Sequence, residues 1–313
     1  MKISIVSTLY RSAQFIDEFY RRMKESVEQY SDTFEIIFVD DGSPDNSNYI
    51  VQQLIQRDSR VILVELSRNF GHHHAIMAGL SQTTGDLIFL IDSDLEEQPE
   101  WIGFFLERLR KNEVDVVFGL QQRRMGGWFR KITGSLFYKL FNLVSDTEIP
   151  VNPCTVRLMT KRFVEAALNL KESNLFLAGN FAWAGFRQLP IEVNKLCNKE
   201  EGKSNYKILK LLKLFFNAIT SFSSYPLILA FVVGCILSIT SGLFGIVLLI
   251  DKLLHPTSFQ LGYSSLMISI WFIGGLIIFF IGTIGVYLSK MFNEVKNRPQ
   301  FIIRKIYKGA EYE

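Results

Sequence analysis

Up to residue 119, short apolar runs alternate with longer stretches in which apolar residues recur three and four positions apart. The runs at 3–6, 35–39, 61–66, 87–91 and 114–118 predict strands, and 15–27, 49–56, 75–80 and 101–109 predict the helices between them. That alternation predicts an α/β fold with a mostly parallel sheet covered on both faces. Ligands of such sheets bind beyond the carboxyl ends of the strands.

Polar residues gather at those ends. Ser7 and Thr8 follow the first strand, Asp40-Asp41-Gly42-Ser43 the second, Arg68-Asn69 the third and Asp92-Ser93-Asp94 the fourth. Any one of these alone also reads as an ordinary turn or loop; four facing one cleft point to a site. Two carboxylates one residue apart, directly after a buried strand, are costly unless a cation lies between them. Mg²⁺ or Mn²⁺ takes one or two carboxylates and completes its shell with phosphate oxygens and water, so the loop suggests phosphate chemistry. The run His72-His73-His74 is not read as a metal site. Successive helical side chains point about 100° apart, and the run is expected to be a helix amino-terminal turn with at most one imidazole near a bound diphosphate. His255 receives no role.

The last third is different. Residues 226–250 and 259–289 contain no Asp, Glu, Lys or Arg, and each run exceeds the roughly 20 residues that cross a bilayer, so two transmembrane helices are expected. Lys203, Lys207, Lys210 and Lys213 precede the first; Lys290, Lys296, Arg298, Arg304, Lys305 and Lys308 follow the second. By the positive-inside rule both large ends are expected to be cytoplasmic. No secretory signal is read at the amino terminus, which alternates as a strand. Lys207, Lys210 and Lys213 recur among leucines and phenylalanines and predict an interfacial amphipathic helix, with a soluble packing helix as the competing reading. The net charge of +3 is small and its basic residues cluster beside the apolar runs, which suits anionic lipid and phosphate and excludes a nucleic-acid partner. Cys154, Cys197 and Cys235 are too few and too scattered for a disulfide framework or a zinc site.

Taken together, VDDGSPDNS at 39–47, RNFGHHHAIMAGL at 68–80, GDLIFLIDSDLEEQPEWI at 85–102 and GKSNY at 202–206 resemble family 2 glycosyltransferases. With FNAITSFSSYPL and two carboxyl-terminal apolar runs, nearly the whole chain is similar to the polyprenyl-phosphate sugar transferases of the dolichyl-phosphate-mannose-synthase and bactoprenol-glucosyltransferase type. The resemblance implies a GT-A nucleotide-sugar-binding domain and a product in which a sugar, inverted at its anomeric carbon, is joined to a polyprenyl monophosphate. The implied layout is a cytoplasmic catalytic domain at 1–204, an interfacial helix at 205–225, transmembrane helices at 226–250 and 264–289 around a short external loop at 251–263, and a basic cytoplasmic tail at 290–313. By analogy the membrane is a bacterial inner membrane.

The resemblance also implies roles. Asp92, Asp94 and Glu96 match the metal-binding triplet for Mg²⁺ or Mn²⁺, with Glu96 where relatives more often carry glutamine. Thr8, Tyr10, Asp40, Asp41, Arg68 and Ser93 match the nucleotide-sugar site, although Thr8 replaces the usual proline and Arg11 the usual asparagine. Asp94 and Arg157 are the expected catalytic pair. Arg123, Arg124, Lys199, Ser204 and Lys207, with Arg157, are expected to receive the acceptor phosphate; Lys199 stands where arginine is more usual and lacks its bidentate geometry. Relatives usually carry aspartates at the positions of Asn152 and Thr155. Their loss is chemically survivable, because a phosphate monoester with a second pKa near 6 is already largely dianionic and needs no general base. The expected partners are a nucleotide-sugar donor (UDP-, GDP- or dTDP-linked), a polyprenyl phosphate and the lipid bilayer, with a homo-oligomer left open. Two other readings compete: a processive polysaccharide synthase, disfavoured by the missing Gln-x-x-Arg-Trp motif and the few spans, and a catalytically weak membrane protein that binds sugar nucleotide or lipid phosphate.

Overall fold

A computed structural model describes residues 1–121, 152–172, 175–196, 225–254 and 263–309. Arg123, Arg124, Lys199, Ser204, Lys207, Cys197 and nearly all of the expected interfacial helix lie outside the described residues.

The described chain forms two units. The first comprises residues 1–121, 152–172, 175–196 and 298–309. Its strands are β1 (Ile3–Leu9), β2 (Phe34–Asp40), β3 (Val61–Leu66), β4 (Leu87–Leu90), β5 (Val116–Gln121), β6 (Pro153–Thr160), β7 (Gln188–Val193) and β8 (Ile303–Lys308). They make one sheet in the order β7-β5-β6-β4-β1-β2-β3-β8. The pairs β4–β1, β1–β2, β2–β3 and β5–β7 are parallel, whereas β6 runs antiparallel between β4 and β5 and β8 runs antiparallel to β3. β2 is buried at every position and β1 at all but one, as expected for central strands covered on both faces.

Helices α1 (Ile16–Glu28), α2 (Ser47–Arg57), α3 (His72–Leu80) and α4 (Trp101–Asn112) join the first five strands, and α5 (Lys161–Leu168) and α6 (Leu177–Trp183) follow β6. In α1 the buried residues Ile16, Phe19, Met23 and Val27 recur at intervals of three and four, which makes a single apolar stripe. One core joins Ile5, Phe38 and Phe89 to Phe19 of α1 and Phe105 of α4; a second, on the other face, joins Val6, Val39 and Leu90 to Ala75 and Ile76 of α3 and Phe163 of α5. The expected mostly parallel α/β domain is therefore present, with strands β6 to β8 and helices α5 and α6 added where the apolar pattern was not resolved. β8 lies inside the segment read from sequence as a basic tail.

The second unit contains α7 (Tyr225–Leu254) and α8 (Tyr263–Val295). Among the described residues one segment, Phe272–Val295 in α8, is long and apolar enough to cross a membrane; the described apolar stretch of α7, Leu227–Leu237, is shorter.

Candidate active site

The acidic loop begins where β4 stops pairing. Ile91 N–H donates to the Val6 carbonyl at 3.1 Å, and two residues later the buried Ser93 hydroxyl donates to the Thr8 carbonyl at 3.0 Å. These bonds fix Asp92 and Asp94 to the carboxyl end of β1. The loop turns at Leu95, which has φ +62°, and Glu96 N–H donates to Asp94 Oδ1 at 3.0 Å. Burial, with the neighbouring Asp94 charge, pushes the Asp92 pKa up to about 6, against the pull of Lys195 and a hydrogen bond from the Thr155 side chain.

Two neighbours flank this loop, the first in the helix amino-terminal turn expected of the histidine run, the second not anticipated from the sequence. His72, the first residue of α3, places Nδ1 3.0 Å from Thr8 Oγ1 and Nε2 3.5 Å from Asp92 Oδ1, so it bridges the end of β1 and the acidic loop. Glu97 is fully buried and 2.8 Å from the Lys195 ammonium. Burial pushes Glu97 upward while Lys195 pulls it back, and Lys195 is itself held above the usual lysine value by Glu97 and Asp92 despite its burial. The net effect on Glu97 is upward, to about 7, from burial first and the Asp92 charge second. Glu97 was hidden by its neighbour: in Asp-Leu-Glu-Glu the resemblance favoured Glu96, which is half-buried, and only the turn at Leu95 decides which glutamate points inward.

The end of β2 is occupied by turn-forming contacts. Asp40 accepts from Ser43 N–H at 2.8 Å and from the Asn48 amide at 3.0 Å; Asp41 accepts from Phe70 N–H at 2.7 Å and Gly71 N–H at 2.9 Å. Burial raises the Asp41 pKa, and those two N–H groups oppose it. Asp41 therefore ties the Arg68–Gly71 loop to β2. Gly42, with φ +68°, admits that loop: a Cβ there would lie 2.8 Å from the Asn69 nitrogen. Tyr10 and Arg68 are exposed at the rim, Arg68 stacking on Phe70 at 4.0 Å.

Arg157, mid-strand in β6 opposite Leu90, is 5% exposed. It donates to the Thr155 and Cys154 carbonyls, both at 3.1 Å, and stacks on Phe181 of α6 at 4.5 Å. Burial pushes its pKa down to about 10, so it stays charged. It lines a small pocket of about 20 Å³, open to solvent, with Phe118, Pro153, Phe181 and Gln188.

Among the described residues no three Asp, Glu, His or Cys side chains converge as a ready-made metal cage. The donor set nevertheless fits a hard divalent cation: Asp92 and Asp94 offer two carboxylates, and burial first, then the neighbouring Asp94 and Glu96 charges, make an uncompensated charge on Asp92 costly. Such an ion would complete its shell with ligand oxygens.

A mostly parallel α/β sheet with an acidic loop beyond β4 and polar loops at the neighbouring strand ends defines a GT-A-like domain. The glycosyl transferase family 2 model matches residues 4–168. A Mycobacterium tuberculosis protein described as a putative glycosyltransferase is 42% identical over 98% of this chain and 89% of its own length. An uncharacterized glycosyltransferase of Bacillus subtilis is 35% identical over 98% and 94%, and a bactoprenol glucosyl transferase of Shigella flexneri is 34% identical over 99% of both chains. The chain belongs to glycosyl transferase family 2 and is a glycosyltransferase, similar from end to end to bactoprenol glucosyl transferases.

Proposed function

We propose that the protein transfers a sugar from a nucleotide-sugar donor to a polyprenyl phosphate, with inversion at the anomeric carbon. The observation that carries this reading is the acidic loop, pinned by Ser93 to the carboxyl end of β1, with the buried cation Arg157 in the neighbouring strand. The full-length likeness to bactoprenol glucosyl transferases supports the acceptor class.

Asp94 and Asp92, with Glu96, would hold Mg²⁺ or Mn²⁺, which would supply positive charge to offset that of the departing nucleoside diphosphate. Thr8, Tyr10, Asp40, Asp41, Arg68 and Ser93 surround the nucleotide sugar from the ends of β1 to β4. Arg157, with Arg123, Arg124, Lys199, Ser204 and Lys207 from outside the described residues, receives the acceptor phosphate. A phosphate oxygen forms the bond to the anomeric carbon while the bond to the diphosphate oxygen breaks on the opposite face, and the electron pair leaves on the diphosphate. No proton has to be removed from the nucleophile, so the protein's work is positioning and electrostatics. This accommodates Asn152 and Thr155 in place of the family's aspartates.

The reading includes a membrane anchor with the catalytic unit in the cytoplasm. Phe231, Ile239 and Leu254 on α7, like Ile278 and Phe279 on α8, are more than 60% exposed, an arrangement suited to lipid. The chain also belongs to the catalytic unit both before α7 and after α8. Such a chain crosses a membrane an even number of times, so a crossing by Phe272–Val295 requires a second, for which α7 is the available helix among the described residues.

The test is transfer to undecaprenyl phosphate from a panel of UDP-, GDP- and dTDP-sugars, with Mg²⁺ or Mn²⁺. One donor is expected to turn over, and Asp94→Asn is expected to lower kcat by roughly 10²-fold or more. Metal-dependent transfer left intact in Asp94→Asn removes the assigned role of the loop; nucleotide binding without turnover replaces the enzyme by a binding protein.

A further inference from the structure

Glu97 and Lys195 are 98 positions apart in sequence and meet beside the acidic loop. Glu97 has no exposed side-chain surface. Its Oε1 accepts from Lys195 Nζ at 2.8 Å and from Thr155 N–H at 3.1 Å, and its Oε2 faces Asp92 N–H at 3.4 Å. One carboxylate thus joins the acidic loop, the start of β6 and the segment leaving β7. That segment has a second clasp one residue on, where Leu196 N–H donates to the Glu96 carbonyl at 2.9 Å.

A buried ion pair is weak support for a fold, since well-packed apolar residues of similar volume often serve as well or better. Its place against Asp92 gives it another consequence. Glu97 adds a negative charge next to the two acids that face the cation, and Lys195 cancels it while also attracting Asp92.

We propose that the Glu97–Lys195 pair is a positioning element that sets the cation affinity of the Asp92–Asp94 loop and clasps the segment after β7 to it. The inference rests on the divalent-cation reading given under Proposed function. Glu97→Gln leaves an unpaired ammonium beside Asp92 that competes with the ion. Lys195→Met removes that ammonium, and the buried Glu97 carboxyl, without its partner, takes up a proton. Only Glu97→Gln is therefore expected to lower affinity, whereas a pair with a merely structural role lowers stability and binding in both.

The experiment titrates the full-length, detergent-solubilised protein with Mn²⁺ alone, reading free Mn²⁺ by electron paramagnetic resonance, with thermal unfolding in parallel. Glu97→Gln is expected to weaken binding roughly fivefold or more, Lys195→Met to bind at least as tightly as wild type, and the double variant to lie within about twofold of Lys195→Met. Lys195→Arg keeps the charge and is expected to stay near wild type. Gln at 97 can still accept from Thr155, and Lys195 is partly exposed, so both single variants are expected to fold; if Glu97→Gln does not, Lys195→Met must still bind Mn²⁺ at least as tightly as wild type. Wild-type binding with Glu97→Gln unchanged, or with Lys195→Met weakened, overturns the proposal. No Mn²⁺ binding by the wild type overturns the cation reading itself, and this inference with it.

Discussion

At Asp92 burial and the neighbouring Asp94 carboxylate act together, and both favour the protonated form. The folded pKa of about 6 lies above the ordinary value of 3.8. In the metal-free protein this group therefore stabilises the fold below its unfolded pKa, and that contribution is lost as pH rises through about 6. A divalent cation needs the ionised carboxylate and offsets the cost of its charge. The increase in Tm produced by saturating Mn²⁺ should accordingly grow as pH rises from about 5 to about 7, and should largely vanish in Asp92→Asn. Taking the difference with and without Mn²⁺ at each pH cancels other titrating groups that do not meet the ion. An increment that is flat, or larger on the acid side, contradicts the placement of the cation at Asp92. The acidic pair was legible in sequence because it directly follows an apolar run. Lys195 was not, because nothing near it in the chain reports the β5–β7 pairing that brings it to the loop.

The helix α3 connects the sheet to the site: its last turn packs on β1 and β2, and its first residue, His72, meets Thr8 and Asp92. The close approach depends on Gly79, where a Cβ would lie 2.5 Å from Val6 Cγ1 and 2.8 Å from Val39 Cγ2. Both valines are stiff at χ1 and fully buried, so the helix has to move rather than the side chains. Gly79→Ala gains about 1 kcal/mol of helix propensity but incurs roughly 1–3 kcal/mol of overpacking, and a net loss of up to about 2 kcal/mol is expected. A lowered Tm in the full-length protein checks this; an unchanged or raised one shows that α3 has slack. The first four strand–helix pairs were legible because each burial pattern keeps one period long enough to read. β6 and β7 were not, since β6 opens on Pro153 and carries Thr155 and Arg157 within the sheet, which breaks the apolar run. α6, only seven residues long, offers too few turns to establish a period.

In the whole chain, β8 decides how the ends are arranged. It pairs antiparallel with β3, from Ile62 opposite Lys308 to Leu66 opposite Ile303, and Arg304 and the Tyr307 hydroxyl reach Glu65 at 3.0 and 2.9 Å. Sequence could not announce this strand: its lysines and arginines, the feature that suggested a basic tail, are what a charged edge strand also carries to discourage further pairing. The pairing has a consequence for topology. With β8 in the catalytic sheet, the residues after α8 return to the compartment that holds β1 to β7, so the proposed anchor must be a hairpin of two crossings and not a single span. A tag within 255–262 and another after residue 313 test this in intact cells and in inside-out vesicles. The first tag is expected to be labelled from outside intact cells and the second only in inside-out vesicles. Labelling of both from the same face excludes a crossing by α8, and with it the paired crossing.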